Sequence, residues 1–251
     1  MNTLSRRDFA VEVCRALALA GDPERAIGQQ AYMKSDMPYH GVTSAELTAI
    51  LRPLLADDSL RPASRSEWES TIRDLWDNAT HREQRYAATA LLAHRSGRAW
   101  HDPELLPLLR HLIVTGAWWD HVDDLAANRV GPILLRHRET VTPTMRAWAV
   151  DDNLWIRRTA ITCQLKHRDA TDLDLLTKAI EANLETGADG DPTAYGRTFW
   201  IRKAIGWALR QHARTDPGWV TAFVVAHHDR MAGLTIREAL KHLPDARAQL
   251  A

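Results

Sequence analysis

The chain reads LWIRRTA at residues 154–160, FWIRKAI at 199–205 and LTIREAL at 234–240. The arginine that these stretches share recurs after 45 and then after 35 residues. A weaker copy, QRYAA at residues 84–88, places its arginine 72 residues, or two units, before the first of them. A unit of about 36 residues has room for two helices and is the sequence signature of a helical solenoid.

The rest of the chain also has a helical period, and no run of alternating β-branched residues suggests a strand. Many candidate helices follow Ser, Thr, Asp or Asn, or carry proline in the first turn, as helix starts do. The thirteen predicted helices are Leu4–Ala20, Pro23–Lys34, Ser44–Ala56, Ser66–Asn78, Arg82–His94, Pro103–Val114, Trp119–His137, Pro143–Val150, Leu154–His167, Asp172–Leu184, Thr198–Ala213, Gly218–His227 and Thr235–Leu243. We expect an all-α fold, an α-α superhelix (solenoid) of HEAT-like helix-pair repeats, as a single domain over residues 1–251.

The composition excludes some classes of function. Lysine plus arginine and aspartate plus glutamate number 32 each, so the net charge is zero, which argues against a polyanion binder that works through bulk charge. Cys14 and Cys163 form no disulfide framework and no zinc site, and the histidines lack the spacing of metal ligands. No apolar run approaches the ~18 residues of a membrane span or forms a signal core. We expect a soluble, cytoplasmic bacterial protein.

The most informative motif for function is WWDHVD at residues 118–123. On a helix, Trp119 and Asp123 stand four residues apart on one face, whereas Asp124 points elsewhere. An indole face attracts cations and stacks on bases, and a neighbouring carboxylate stabilises positive charge that develops beside it. The pair alone also fits a core tryptophan next to a solvated surface acid, and both interpretations stay open at this point.

Equivalent helices of a solenoid line one concave surface, so the cations of the repeated stretches are predicted to lie together along it. They are Arg85, Arg157, Arg158, Arg202, Lys203 and Arg237. Trp119 and Asp123 are predicted to lie among these cations on the same surface. A row of cations in a groove is typical of a track for DNA phosphates. For any single residue, the alternative is an arginine that ties neighbouring helices together.

A second tryptophan, Trp207, has Lys203 four residues before it and Arg210 three residues after it, all on one helix face. Trp155 and Arg158, three residues apart, repeat this arrangement. A tryptophan flanked by cations can stack on a base or a sugar while the cations hold phosphates. The alternative is core packing of the indole beneath extended lysine and arginine side chains.

These stretches, in this order, resemble the AlkD family of DNA alkylation repair glycosylases, which are built from HEAT-like helical repeats. The resemblance covers about residues 25–243, and WWDxVD and KAIGW are its most specific segments. The matching stretches are AYMK at 31–34, IRDLWD at 72–77, LIVTGAWWDHVD at 112–123, DNLWIRR at 152–158, QLK at 164–166, IRKAIGWALR at 201–210 and REALKH at 237–242. The clearest departure is an insertion at Gly187–Pro192, a predicted loop before the helix of Trp207.

The resemblance implies roles for individual residues. Trp119 and Trp207 would flank the deoxyribose of the damaged nucleotide, and Asp123 would be the catalytic carboxylate. Tyr32 would lie beside the lesion, and Arg158 would hold the DNA backbone near it. The DNA-binding residues predicted from the repeats and the resemblance together are Tyr32, Arg85, Trp155, Arg157, Arg158, Arg202, Lys203, Arg210 and Arg237.

A purine alkylated at N3 or N7 is cationic and already a good leaving group, so its excision needs no general acid. We expect a monofunctional DNA glycosylase of base excision repair that removes such purines, bulky adducts included, from double-stranded DNA. The resemblance implies that the damaged base stays largely stacked, whereas most glycosylases extrude theirs. We expect a monomer without cofactor or metal. The alternative is a non-catalytic HEAT-like module that binds DNA structures or protein partners.

Overall fold

The structure is a computed structural model that describes residues 8–184 and 198–248. Every regular element within these residues is a helix, which confirms the predicted all-α class. The α-helices are α1 (Phe9–Leu19), α2 (Pro23–Met33), α3 (Ser44–Ala56), α4 (Arg65–Asp77), α5 (Arg82–Ala93), α6 (Leu106–Gly116), α7 (Trp119–Leu125), α8 (Gly131–Arg136), α9 (Arg138–Trp148), α10 (Leu154–Thr162), α11 (Leu173–Glu181), α12 (Phe199–His212), α13 (Pro217–Ala226), α14 (Gly233–Ala239) and α15 (Pro244–Ala248). Short 3₁₀ turns are Asp58–Leu60, Arg95–Trp100, Pro103–Leu105, Arg168–Ala170 and His228–Arg230. The predicted insertion at Gly187–Pro192 lies outside the described residues.

The chain divides into two compact units, Met1–His101 and Asp102–Ala251, so the single domain expected from the sequence stays a prediction. In the first unit α1 packs on α3, α4 and α5, and α4 lies against α5. Glu83 of α5 is buried and accepts hydrogen bonds from the three successive backbone N–H groups of residues 40–42. These bonds fix the connection between α2 and α3. No helix in the described part of the chain is long and apolar enough to cross a bilayer.

The helix α10 lies at the centre of the second unit. It contacts α6, α7, α9, α11 and α12, and each of its residues from Trp155 to Thr162 is buried. The three repeated stretches of the sequence form α10, α12 and α14, and these helices pack in sequence order, α10 on α12 and α12 on α14. Equivalent helices of successive units are therefore neighbours, as the repeat predicts.

Polar caps determine where two of the three repeated stretches enter their helices. The side chain of Asn153 accepts hydrogen bonds from the backbone N–H groups of Trp155 and Ile156 at the start of α10. Thr198 caps α12 by accepting from the N–H of Ile201. Each cap stabilises its helix by about 1 kcal/mol and fixes the register of the side chains that follow.

The observed helices differ from the predicted ones in several places. The helix α9 begins at Arg138, five residues before Pro143, because the fully buried Val141 and Met145 hold this segment against the core. The helix α10 ends at Thr162, because the Gln164 side chain binds both backbone groups of Asp172 and turns the chain. The short α15 has no counterpart among the predicted helices.

A π-helical turn, Ala126–Val130, interrupts the predicted helix Trp119–His137 between α7 and α8. It packs on α10 together with α7. Gly131 follows the turn, and a Cβ atom at this position would stand 2.3 Å from the carbonyl oxygen of Cys163. The close approach of the two backbones therefore requires glycine here.

Gly131→Ala is expected to lower the free energy of unfolding by about 1–3 kcal/mol, because a backbone carbonyl cannot swing away from the added methyl group. The matched control is Gly28→Ala in α2, where a Cβ meets nothing within 4 Å. That change should stabilise the protein by up to about 1 kcal/mol through helix propensity. Urea denaturation followed by circular dichroism measures both variants, and equal stabilities would contradict the close approach at Gly131.

Candidate active site

A pocket of about 350 Å³ lies in the second unit, with walls from α7, α10, α12 and α14. The lining residues are Trp119, Arg158, Phe199, Trp200, Lys203, Trp207, Arg210 and Glu238. Arg158, Lys203 and Glu238 occupy the same position in the three repeated stretches. The pocket therefore receives a charged side chain at this repeat position from each of three successive units, and Arg210 of α12 adds a fourth charge.

Asp123 and Arg158 form a two-point ion pair that joins α7 to α10. The Arg158 Nε donates to Oδ1 of Asp123 at 2.7 Å, and Nη2 donates to Oδ2 at 2.8 Å. The remaining nitrogen, Nη1, donates to the carbonyl oxygen of Trp200 at 2.6 Å. The side chains of Arg158 and Asp123 are only 5% and 15% exposed. Two parallel bonds thus fix the carboxylate, and each of its oxygens keeps a lone pair that Arg158 does not use.

Burial raises the pKa of Asp123 above that of an ordinary aspartate. The hydrogen bonds and the positive charge of Arg158 lower this pKa and offset part of the effect, while the nearby Asp120 raises it slightly further. A carboxylate with little surrounding water interacts more strongly with a nearby positive charge than a solvated one does. The arrangement is therefore suited to stabilise a cation that forms next to Asp123.

Three tryptophans form an aromatic cluster next to this ion pair. The ring centroids of Trp118, Trp155 and Trp200 lie 5.3 to 6.2 Å apart. Phe199 meets the ring of Trp200 edge-on at 5.1 Å, and the Arg158 guanidinium lies 5.9 Å from the same ring. The cluster holds in place the residue whose carbonyl oxygen accepts from Arg158, so it supports the orientation of the guanidinium.

Glu238 of α14 bridges two cations of α12. Its Oε1 accepts a hydrogen bond from Lys203 Nζ at 2.6 Å, and its Oε2 accepts one from Arg210 Nη1 at 2.5 Å. The hydrogen bond from Lys203 is the main cause that lowers the pKa of Glu238. The two cations stand on either side of Trp207 along one face of α12, as their spacing predicts.

The structure brings together residues that were predicted from separate motifs. Trp119, Arg158, Lys203, Trp207 and Arg210 line one pocket, and Asp123 is bound to the Arg158 of that pocket. Because Trp119 and Trp207 are partly exposed, they can contact a ligand there.

Three of the predicted DNA contacts, Arg157, Arg158 and Trp155, fall on buried side chains. Arg158 is 4% exposed, and its guanidinium is bonded to Asp123 and to the Trp200 carbonyl. Arg157 is buried, and its guanidinium donates to the Asn183 side chain at 2.7 Å and to the Ala182 carbonyl at 3.3 Å. It ties α10 to the end of α11, which is the alternative left open for these arginines. Trp155 is 7% exposed within the tryptophan cluster, so core packing replaces the predicted stacking on DNA.

Four other predicted DNA-binding residues are not among the residues that line the pocket. In the second unit Arg202 is half-buried on α12 and Arg237 is exposed on α14. In the first unit Tyr32 of α2 is 79% exposed, and the guanidinium of Arg85 lies 5.1 Å from the Trp76 ring. DNA contacts of these four residues stay predictions.

Sequence reasoning missed Phe199, Trp200 and Glu238 in the pocket. Trp200 occupies the repeat position of Trp155, and Glu238 occupies that of Arg158. A position-by-position alignment of the three stretches therefore carries the signal that would have found both. Within residues 8–184 and 198–248, no group of three or more His, Cys, Asp or Glu side chains is arranged to hold a metal ion.

Fold and site together define an all-α repeat protein with a fixed carboxylate beside an aromatic, cation-lined pocket. The family model described as DNA alkylation repair enzyme matches residues 13–243. The chain is also similar to a solved structure described as a predicted DNA alkylation repair enzyme from Enterococcus faecalis. That similarity has a TM-score of 0.74 and 30% sequence identity, and covers 89% of this chain and 96% of the other. A comparison with curated proteins finds no match.

The chain belongs to the DNA alkylation repair enzyme family. The matched residues contain the whole pocket and the ion pair behind it. The family resemblance seen in the sequence is therefore confirmed, and membership supports a role in DNA repair.

Proposed function

We propose that this protein is a monofunctional DNA glycosylase that hydrolyses the N-glycosidic bond of cationic N3- and N7-alkylated purines in duplex DNA. The observation that carries the proposal is the meeting of Trp119 and Trp207 in one pocket with Arg158, which holds Asp123. Family membership supports DNA as the partner, and the chemistry of these side chains supports the reaction.

The reaction requires little from the protein at the damaged base. An alkyl group on N3 or N7 makes the purine cationic, so the base departs as a neutral molecule without a proton from the enzyme. As the bond breaks, positive charge moves onto the deoxyribose, as in glycoside hydrolysis. Asp123 stabilises this charge, and the lone pairs that Arg158 leaves unused orient the attacking water.

The indoles and cations of the pocket position the damaged nucleotide. The faces of Trp119 and Trp207 stack on the sugar and favour its cationic form, with each such contact contributing about 0.5–2 kcal/mol. Lys203 and Arg210 contact backbone phosphates on either side of Trp207. In this proposal the base stays largely stacked, so methyl and bulky groups are both accepted. The protein acts as a monomer without metal or cofactor.

Product analysis tests the proposal. Duplex DNA with a single N7-methylguanine is incubated with the protein, free base is measured by mass spectrometry, and strand integrity is followed on a gel. We expect free 7-methylguanine and an abasic site that breaks only after alkali treatment, with no borohydride-trapped complex. Strand cleavage without alkali, or transfer of the methyl group to the protein, would contradict the proposal.

The pH dependence of excision should report the ionisation of Asp123. Only the carboxylate stabilises a cationic sugar, and burial raises its pKa. The single-turnover rate should therefore reach its maximum above the raised pKa of Asp123. As the pH is lowered, the rate should begin to fall at a higher pH than it would for a solvated aspartate with an ordinary pKa. Rates are measured from about pH 4 to about pH 8, with release in the absence of protein subtracted. A flat profile over this range would argue against Asp123 as the group that acts.

One observation favours a second candidate function. The ion pair of Asp123 and Arg158 is nearly closed to solvent, and such pairs also serve as structural ties between helices. The protein would then be a non-catalytic HEAT-like module that binds DNA structures or protein partners. Base release decides between the two functions, because only the glycosylase frees 7-methylguanine from the DNA that it binds.

A further inference from the structure

Glu238 lies in the candidate active site, but it has no role in the proposed reaction. Among the described residues that line the pocket it is the only acid. Its side chain is 17% exposed, and each carboxylate oxygen is occupied by a cation, one by Lys203 and one by Arg210. An acid that holds the cations of a phosphate-binding wall weakens their attraction for every DNA, damaged or not.

Close packing holds Glu238 in this place. A Cβ atom on Gly206 would come within 2.5 Å of the Glu238 Cβ and within 3.0 Å of the Thr235 carbonyl oxygen. Gly206 directly precedes Trp207, so its missing side chain lets α14 approach α12 beside the indole. The carboxylate is therefore set between the two cations by the backbones of both helices, and is not a flexible surface acid.

The Glu238 carboxylate and a DNA phosphate compete for the same two cations. Both groups are anions that accept hydrogen bonds through oxygen, and both suit the donors of Lys203 and Arg210. When a backbone phosphate binds the two cations, Glu238 loses both partners. A carboxylate that loses both cations at this partly buried position, next to the aromatic side chains of the pocket, is unfavourable.

A cationic nucleotide removes this penalty. It brings a phosphate for Lys203 and Arg210 and a positive charge for the displaced carboxylate. An undamaged nucleotide brings the phosphate alone. The charges of the pocket are therefore balanced only when the DNA carries a positively charged lesion.

We propose that Glu238 makes DNA binding selective for cationic lesions, by exchanging Lys203 and Arg210 for the positive charge of the damaged nucleotide. This inference rests on the proposed function and assigns Glu238 a part in recognition. Asp123 acts on bond cleavage, whereas Glu238 determines which DNA is bound well. Glu238 is thus a specificity-determining residue of the same site.

Glu238→Gln tests the inference through the dissociation constants of two duplexes, measured by fluorescence anisotropy. They differ at one guanine, which is either unmodified or N7-methylated on a 2′-fluorinated sugar that keeps the base attached. We expect the variant to bind the unmodified duplex about tenfold more tightly and to lose most of the preference for the methylated one. The slope of log affinity against log salt should steepen by about one, because a further phosphate contact becomes accessible.

Two further variants separate selectivity from packing and from net charge. Glu238→Ala keeps the Cβ that packs on Gly206 and should show the same loss of preference. Glu181→Gln is the matched control, since it removes a charge from an acid that is 42% exposed and bound to His227 outside the pocket. This control should bind both duplexes as the wild type does. Circular dichroism at the assay temperature shows that each variant is folded.

The outcomes distinguish this inference from the proposed function. If Glu238 is only a tie between α12 and α14, both Glu238 variants will melt earlier but keep the wild-type preference and salt slope, and the inference is overturned. A wild type that binds the two duplexes equally overturns it as well. A wild type that releases 7-methylguanine while Glu238→Gln keeps its preference refutes the inference alone. A wild type that neither binds these duplexes nor releases base refutes the proposed function.

Discussion

Asp123→Asn is expected to lower the single-turnover rate of 7-methylguanine release by about 10²–10³-fold. The amide keeps the size of the carboxylate and can accept one hydrogen bond from Arg158, but it carries no charge to stabilise a cationic sugar. Affinity for the duplex should stay within about threefold of the wild type, since Asp123 binds Arg158 and not a phosphate. Base release and anisotropy on the same DNA measure both quantities.

Asp124→Asn is the matched control for this variant. Asp124 stands one residue further along α7 and accepts a hydrogen bond from the Asn128 side chain at 2.7 Å. The same change of charge should leave excision at the wild-type rate, because this carboxylate does not contact Arg158. If Asp123→Asn kept more than about a tenth of the wild-type rate, the carboxylate would not be the group that stabilises the transition state.

Arg158→Met is expected to lower the free energy of unfolding by about 3–5 kcal/mol. The change leaves the largely buried carboxylate of Asp123 without its cation, and the carbonyl of Trp200 without its donor. Lys203→Met is the matched control at the same position of the next repeat. The Lys203 side chain is 38% exposed, so the loss there should be about 0–1 kcal/mol. Urea denaturation of both variants measures the difference.

The double variant Asp123→Asn with Arg158→Met should recover part of the stability that Arg158→Met alone loses. No unpaired charge remains between α7 and α10 once both partners are neutral. A loss equal to the sum of the two single losses would show that these side chains are not directly coupled in the folded protein.

The helices could be predicted from the sequence because their signals are local. The spacing of apolar residues and the capping residues of a helix both lie within, or next to, that helix in the sequence. The helix α3, for example, has the predicted bounds, Ser44–Ala56. The start of α9 and the end of α10 depend on partners distant in sequence. Val141 and Met145 become buried only when the chain folds. The hydrogen bonds between the Gln164 side chain and Asp172 likewise form only in the folded chain.

The candidate site was predictable where its residues share a helix. The spacing of Trp119 and Asp123, and that of Lys203, Trp207 and Arg210, places each group on one face without further information. Spacing could not separate Arg157 from Arg158, because neighbouring residues point about 100° apart and the sequence does not show which direction faces the core. Glu238 was missed because a search for cations along the repeat passes over an acid at the equivalent position.

Release of base from two damaged duplexes tests the central claim that the pocket excises a cationic purine without protonating it. One duplex carries N7-methylguanine, and the other carries hypoxanthine, a neutral damaged purine that leaves readily only when protonated. We predict that the wild type releases 7-methylguanine far faster than it is lost without protein, and releases hypoxanthine no faster than it is lost without protein. The claim would be contradicted if the protein bound the duplex but released no more 7-methylguanine than is lost without protein. Equal release of both bases would also contradict the claim.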